Sequence, residues 1–263
     1  MKIGFIGVGN MAKAIIIGLI KAGVSGTDIL VHSGHLEHYE AFAKQNQLAL
    51  ETSNEEVAKK ADVVVLAVKP DIAKQVLTDI KLEVNSADKL VASVVSGLEI
   101  AEMQAIIGDW PIMRVMPNVN VEINEGMTAL AASGPLTDSP FNIVKNIFEK
   151  VGKVMEGSES DFTIFGAIAG SAPAYAYFFI DALSRAGVKY GLTKQAATKI
   201  AAQVVNGSAK MVLEADDNPA ALIDKVSSPV GTTVAGFLAM EEAGFMTSVV
   251  KGIDATIAKE KGE

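Results

Sequence analysis

"GFIGVGNMAKA", Gly4 to Ala14, is the stretch on which the reading of the fold turns. It overlaps Lys2–Ile6, a short apolar run with β-branched residues that reads as a strand. Met11–Lys21 then has helical periodicity, and Gly23 suits a helix end. Between them Gly7-Val8-Gly9-Asn10-Met11-Ala12 forms a G-x-G-x-x-A fingerprint. The first glycine makes the tight turn, the second lets the backbone approach a pyrophosphate, and the small third residue lets helix and strand pack closely. The phosphates rest on the free N–H groups of the helix start, favoured by its dipole. Taken alone such a turn is a weak signal, and a purely structural glycine turn is the alternative. Its place between a strand and a helix points to a dinucleotide.

Further along, Ile29–Val31 reads as a second strand and His35–Gln45 as a helix. Ala61–Val68 ("ADVVVLAV") is the continuous apolar run of a strand buried on both faces. Pro70 opens another helix, where its missing N–H is not needed. Lys89–Val95, Pro111–Pro117, "GMTALAAS" and "GKVMEG" are further strands, with a helix near Ser139–Lys150. The alternation predicts an α/β fold: a Rossmann-like, doubly wound, mostly parallel sheet. Beyond Glu156–Asp161 strands vanish. Ala-rich helical segments follow at Phe162–Ala169, Ala172–Lys189, Lys194–Glu214, Pro219–Lys225 and from Thr233 to near the end. We expect residues 1–158 to form the dinucleotide-binding domain and 159–263 an all-α domain for substrate and dimerisation.

The 263 residues are 49% apolar and 21% charged, and the mean hydropathy of +0.31 is high for a soluble chain. No window of about 18 uninterrupted apolar residues occurs, and the run Ala172–Ile180 stops at Asp181. The surplus therefore predicts an oligomer interface and no membrane span. No leader is expected, because "MKIGFIGVG" is already strand and turn. A net charge of −8 without Lys or Arg runs argues against a nucleic-acid partner. The absence of cysteine removes disulfides and thiolate chemistry and suits a reducing cytoplasm. His32, His35 and His38 are spaced by three, but no carboxylate stands at motif spacing, so they read as a solvated helix start and no metal is expected.

An NAD site usually carries an acid about 20 residues beyond the glycines. Here the second strand ends in "VHSGH", Val31–His35, without one. Ser33 and His35 are suited to donate to a 2′-phosphate. NADPH is the expected cofactor, with NADH the alternative.

Four more motifs complete the pattern: "AVKP" (Ala67, Val68, Lys69, Pro70), "RVMPN" (Arg114–Asn118), "GSAPAY" (Gly170–Tyr175) and "SSPVGTT" (Ser227–Thr233). With the glycine fingerprint they run over nearly the whole chain, in an order and spacing that resembles the pyrroline-5-carboxylate reductase family. The resemblance implies hydride transfer from NAD(P)H to the C=N carbon of 1-pyrroline-5-carboxylate, giving L-proline. It implies an intertwined homodimer, often built further into a ring of dimers such as a decamer. It also implies a site. Gly7, Gly9, Asn10, Met11, Ala12, Ser33, His35, Asn54, Ala67, Val68, Lys69, Pro70 and Ser96 are the cofactor candidates. Met116, Pro117, Asn118, Ser228, Gly231, Thr232 and Thr233 are the substrate candidates. Thr233 matches the family threonine whose hydroxyl contacts the ring nitrogen, and is the catalytic candidate.

The chemistry agrees in kind. A cyclic imine needs an anion site for its carboxylate, a hydrogen bond at nitrogen and close approach to the nicotinamide, but no strong base and no metal. Free N–H groups at a helix start near Gly231 suit the carboxylate, the plain alternative being a Ser/Thr cap after a proline turn. Two residues depart from the family pattern, Ala172 and Val230, each where glycine is usual. If position 230 needs a positive φ, valine is strained there. A β-hydroxyacid dehydrogenase would carry a lysine on the long helix, and none occurs before Lys189. A non-catalytic NADP-binding regulator is the other alternative.

Overall fold

The structure, a computed structural model, describes residues 1–84, 89–134 and 139–262. They divide into two compact units, Met1–Gly170 and Ser171–Glu263.

The first unit is an eight-stranded sheet. Its strands are β1 (Ile3–Ile6), β2 (Ile29–His32), β3 (Ala49–Leu50), β4 (Val63–Leu66), β5 (Leu90–Ser93), β6 (Ile112–Met116), β7 (Gly126–Ala132) and β8 (Gly152–Glu156). Their order is β3-β2-β1-β4-β5-β6-β7-β8. Every pair is parallel except β6–β7, which runs antiparallel. The helices are α1 (Asn10–Lys21), α2 (Glu40–Gln45), α3 (Asn54–Lys60), α4 (Pro70–Ile80), α5 (Ile100–Ile107) and α6 (Ser139–Glu149).

The apolar runs become strands because both sheet faces are covered. Along β1, Ile3 and Phe5 enter a cluster with Ile15, Ile16 and Leu19 of α1 and Phe148 of α6. Ile6 turns to the opposite cluster, with Val57 of α3, Leu77 of α4 and Met103 of α5. Each such side chain contributes about 1.5–3 kcal/mol by leaving water. Ile6, His32, Leu66 and Ser93 stand side by side in the register. The carboxyl ends of β1, β2, β4 and β5 therefore open on one edge. The chain order reverses between β1 and β4, and such a switch point is where doubly wound sheets bind ligands.

Two helical expectations need correction. His35–Gln45 is not one helix: Leu36–His38 is a 3-10 turn, and α2 starts after Tyr39, whose φ of −138° is not helical. The last segment is likewise two helices, α11 (Thr232–Glu242) and α12 (Phe245–Lys261), parted by Gly244 in the left-handed region.

The division between the compact units, after Gly170, falls further along the chain than the change in composition near residue 158. α7 (Phe162–Phe165) places Phe162 and Phe165 in the core beneath the sheet. Arg114 donates to Glu159 at 3.0 Å and lies over the Phe162 ring. The same Glu159 oxygen accepts from the Ile100 N–H. These contacts tie residues 159–165 to the first unit. A π-helical stretch, Gly166–Ser171, follows.

The second unit consists of α8 (Ala172–Lys189), α9 (Lys194–Glu214), α10 (Pro219–Lys225), α11 and α12. Its described residues include only three buried ones, Ser184, Ala197 and Ala201.

Candidate functional site

Gly7 follows β1 with φ +95°, and a side chain there would begin 2.4 Å from the Ala67 carbonyl oxygen. Its N–H donates to the His32 carbonyl at 2.8 Å, while the Ala67 N–H donates to Ile6. The turn is thus fixed from both neighbouring strands. Gly9 is the extended residue before α1, and no side chain caps that helix. The first helical bond runs from Lys13 to Gly9, which leaves the N–H groups of Asn10, Met11 and Ala12 without helical acceptors. A Cβ on Gly9 would meet no atom of the described residues within 4 Å, and the first turn carries no acid. Ala12 is buried against the sheet. This geometry fits a pyrophosphate.

The loop after β2 is closed by a residue the sequence reading passed over. The Tyr39 hydroxyl accepts from the Ser33 N–H at 3.1 Å and donates to the Ser33 carbonyl at 3.4 Å. His35 is exposed, with Nδ1 3.4 Å from Glu37. His32 instead turns Nδ1 to the Glu51 carbonyl at 3.0 Å. The Glu37 carboxyl is held below the usual carboxylate range, first by its own backbone N–H and further by the His38 and His35 rings. The Glu55 carboxyl is also lowered, chiefly by a hydrogen bond from Ser53, with His32 adding to it. The five residues of "VHSGH" contain no acid, but folding brings two carboxylates close to their histidines.

Asn54 opens α3 behind a Ser53 cap. Ala67 and Val68 stand beside Gly7, Lys69 is the extended residue before α4, and Pro70 is in its first turn. Ser96 lies exposed in the loop after β5. The cofactor candidates therefore share the carboxyl edge of β1–β5. Met116 ends β6. Pro117 and Asn118 are buried just beyond it. Asn118 has partners already: its amide donates to the Ala169 carbonyl at 3.0 Å and accepts from the Met127 N–H at 3.3 Å. It clasps the chain on both sides of this loop, a structural task that its motif does not disclose.

In the second unit, Ser228-Pro229-Val230-Gly231 is a tight turn, closed by the Gly231 N–H donating to Ser228 at 2.9 Å. Val230 has φ +63°. A turn with proline second and a positive φ third is the arrangement that ordinarily requires glycine there. Gly231 is extended and precedes α11, which has no side-chain cap and no acid in its first turn. Thr232 and Thr233 are that helix's first two residues, exposed on the single chain. By contrast Ser53, Thr193 and Asn218 each cap their own helices through a side chain. The starts of α1 and α11 thus share an extended glycine and unused donors.

The second unit is apolar on its outside. Tyr177, Phe178, Leu213, Leu238, Met246 and Val250 are more than half exposed, Phe178 at 76%. Tyr175, Phe179, Met240, Phe245 and Val249 line one groove, with the Phe179 and Phe245 ring centres 5.8 Å apart. One helical stretch among the described residues, Glu159–Lys189, is long and apolar enough to cross a membrane by length and composition.

A family model described as "Pyrroline-5-carboxylate reductase dimerisation" matches residues 159–263. One described as "NADP oxidoreductase coenzyme F420-dependent" matches residues 2–97. A pyrroline-5-carboxylate reductase of Escherichia coli is 39% identical over 100% of this chain and 97% of its own. The crystal structure of the Plasmodium falciparum pyrroline carboxylate reductase, with NADP bound, has TM-score 0.88 and 32% identity over 100% of this chain and 97% of that one. The Streptococcus pyogenes 1-pyrroline-5-carboxylate reductase has TM-score 0.86 and 35% identity over 100% and 99%.

Proposed function

The chain belongs to the pyrroline-5-carboxylate reductase family, and from that premise we propose how its residues divide the work. The enzyme reduces 1-pyrroline-5-carboxylate to L-proline with NAD(P)H, the last step of proline synthesis. When bound, the cofactor supplies the hydride that adds to the C=N carbon. The chain's own groups hold, orient and neutralise.

Gly7, Gly9 and the N–H groups of Asn10, Met11 and Ala12 hold the pyrophosphate. Ala67, Val68, Lys69, Pro70 and Ser96 line the path beyond it, while Ser33, His35 and Asn54 take the adenosine end. Ser228 and the N–H groups of Thr232 and Thr233 hold the substrate carboxylate, Gly231 gives its N–H to the Ser228 carbonyl and keeps the helix start open to the ligand, and the Thr233 hydroxyl orients the ring nitrogen. Met116 and Pro117 are the first unit's substrate candidates at the end of β6, and Asn118 fixes their loop. The observation that carries this division is the pairing of two uncapped helix starts behind extended glycines. The reaction has two anions to hold, one on each molecule. The absence of any lysine on α8 before Lys189 supports imine reduction over hydroxyacid oxidation.

The second unit carries the family's dimerisation domain. We infer that its apolar exterior, including the Glu159–Lys189 stretch, is covered by a second chain rather than by lipid. We further propose that the dimers close into a ring and that the enzyme works in the cytoplasm.

One assay tests the activity: NADPH absorbance followed with pyrroline-5-carboxylate and with a panel of 3-hydroxyacids and NADP. Oxidation of NADPH by the imine alone is the expected result. Turnover of a hydroxyacid, or cofactor binding without either reaction, would replace this reading.

A further inference from the structure

We propose that Tyr39 is a positioning residue for cofactor choice, holding the Ser33 loop in the shape that receives the 2′-phosphate. The proposal rests on the reading that Ser33 and His35 take that end of the cofactor.

The loop has little else to shape it. Ser33 and Gly34 lie between β2 and the 3-10 turn Leu36–His38, and residues 34–38 are exposed. Tyr39 is the opposite: it is 2% exposed and belongs to the core cluster of Val31, Ala43 and Leu48. Its backbone is pinned on both sides, its N–H donating to Leu36 and its carbonyl accepting from Ala43. From that anchored position one hydroxyl takes both backbone groups of Ser33, N–H and carbonyl. A single core side chain thereby ties down the backbone of the residue whose own hydroxyl would face the phosphate. The packing of a tyrosine at this position needs only its ring. The hydroxyl has no other hydrogen bond among the described residues, so its contribution is the loop.

Tyr39→Phe keeps the ring and removes the hydroxyl. The Ser33 backbone groups are half-buried and can turn to water, so the loop loosens without a large loss of fold. NADH has no 2′-phosphate and presents only a neutral ribose hydroxyl to this loop, so it draws less from the loop's shape. We expect the KM for NADPH to rise about three- to tenfold, the worth of one to two hydrogen bonds. The KM for NADH, the KM for pyrroline-5-carboxylate and kcat should stay near wild type, as should Tm. Ser33→Ala and His35→Ala run alongside. If they lower the preference for NADPH and Tyr39→Phe does likewise, the inference stands. If they lower it and Tyr39→Phe does not, or raises both cofactors' KM alike, Tyr39 is only a core residue and the inference is overturned. If neither changes the preference, the loop does not read the 2′-phosphate at all and the underlying reading falls. Should the phenylalanine variant prove less stable, dissociation constants for NADPH and NADH measured on its folded fraction give the same comparison.

Discussion

The Gly231 N–H donates to the Ser228 carbonyl at 2.9 Å, and the Ser228 hydroxyl lies 2.5 Å from where a side chain on Gly231 would begin. The two residues are packed so closely that the turn has room for glycine alone. Gly231 has an ordinary φ of −77°, so the constraint is space and not backbone freedom. Gly231→Ala must push the Ser228 hydroxyl and carbonyl away from the start of α11. We expect kcat/KM for pyrroline-5-carboxylate to fall about ten- to a hundredfold, since displacing positioning groups by an ångström has effects of that size. The dissociation constant for NADPH, measured by fluorescence, should not move.

Val230 is one residue earlier and constrained in the other way. It is fully exposed and left-handed, a conformation that costs a side-chain-bearing residue about 1–2 kcal/mol. Glycine loses that strain but adds back roughly 0.5–1 kcal/mol of unfolded-state entropy. Val230→Gly should therefore stabilise by about 0.5–1 kcal/mol, or a few degrees in Tm. A lower Tm in calorimetry would show that the turn is relaxed with valine in place.

Thr233→Val keeps the shape of the side chain and removes its hydroxyl. A lost hydrogen bond of about 1–3 kcal/mol in a dry site lowers kcat/KM on the order of ten- to a hundredfold. Thr233→Ser should retain most activity. If the residue served only the helix start, Thr233→Val would lower Tm and leave kcat/KM equal to wild type.

Glu37 stays ionised at neutral pH and sits beside His35. A carboxylate there opposes a 2′-phosphate. Removing its charge with Glu37→Gln should lower the KM for NADPH about two- to fivefold at low salt, in keeping with an exposed pair. The gain should fade as ionic strength rises. An NADPH KM that is unchanged at low salt places the phosphate beyond the reach of this charge. The converse substitution, Ser33→Asp, should shift preference toward NADH.

Thr128 is buried in β7, and its hydroxyl has no hydrogen-bond partner among the described residues. Such a group carries its desolvation cost without return. Thr128→Val preserves volume and should raise stability by about 1 kcal/mol, read as a higher urea midpoint with an unchanged slope. A drop would mean that the hydroxyl is satisfied in the folded enzyme.

Much of this molecule is legible in its sequence because its signals are local. The Gly7–Ala12 fingerprint, the buried runs that became β4 and β5, and the Pro-led start of α4 depend on neighbours a few residues away. The limits of α8, α9 and α10 were readable for the same reason. The conditional reading of Val230 could be made because turn geometry is local too. What escaped depends on distant partners. β3 is two residues long and exists only because Leu30 and Val31 pair with it. Asn118 reads from its motif as a substrate candidate, and its bonds to Ala169 and Met127 come only with the fold. Glu159 carries no signal in the sequence, and only the fold brings Arg114 and Ile100 to it. Tyr39 was hidden inside an apparent helix, and only the break in that helix brings its hydroxyl to Ser33.

Five helices with three buried residues among them do not make an interior. The family's dimerisation domain lies in this half, and a second chain laid over α8 to α12 would tie folding to meeting a partner. Dilution then acts as a denaturant, and the melting temperature becomes a property of the solution as much as of the sequence. A cell making few copies would hold a larger share of them open to proteases than a cell making many. The amount of enzyme would rise more steeply than its synthesis, a threshold written into the surface of α8 to α12 and not into any regulatory site.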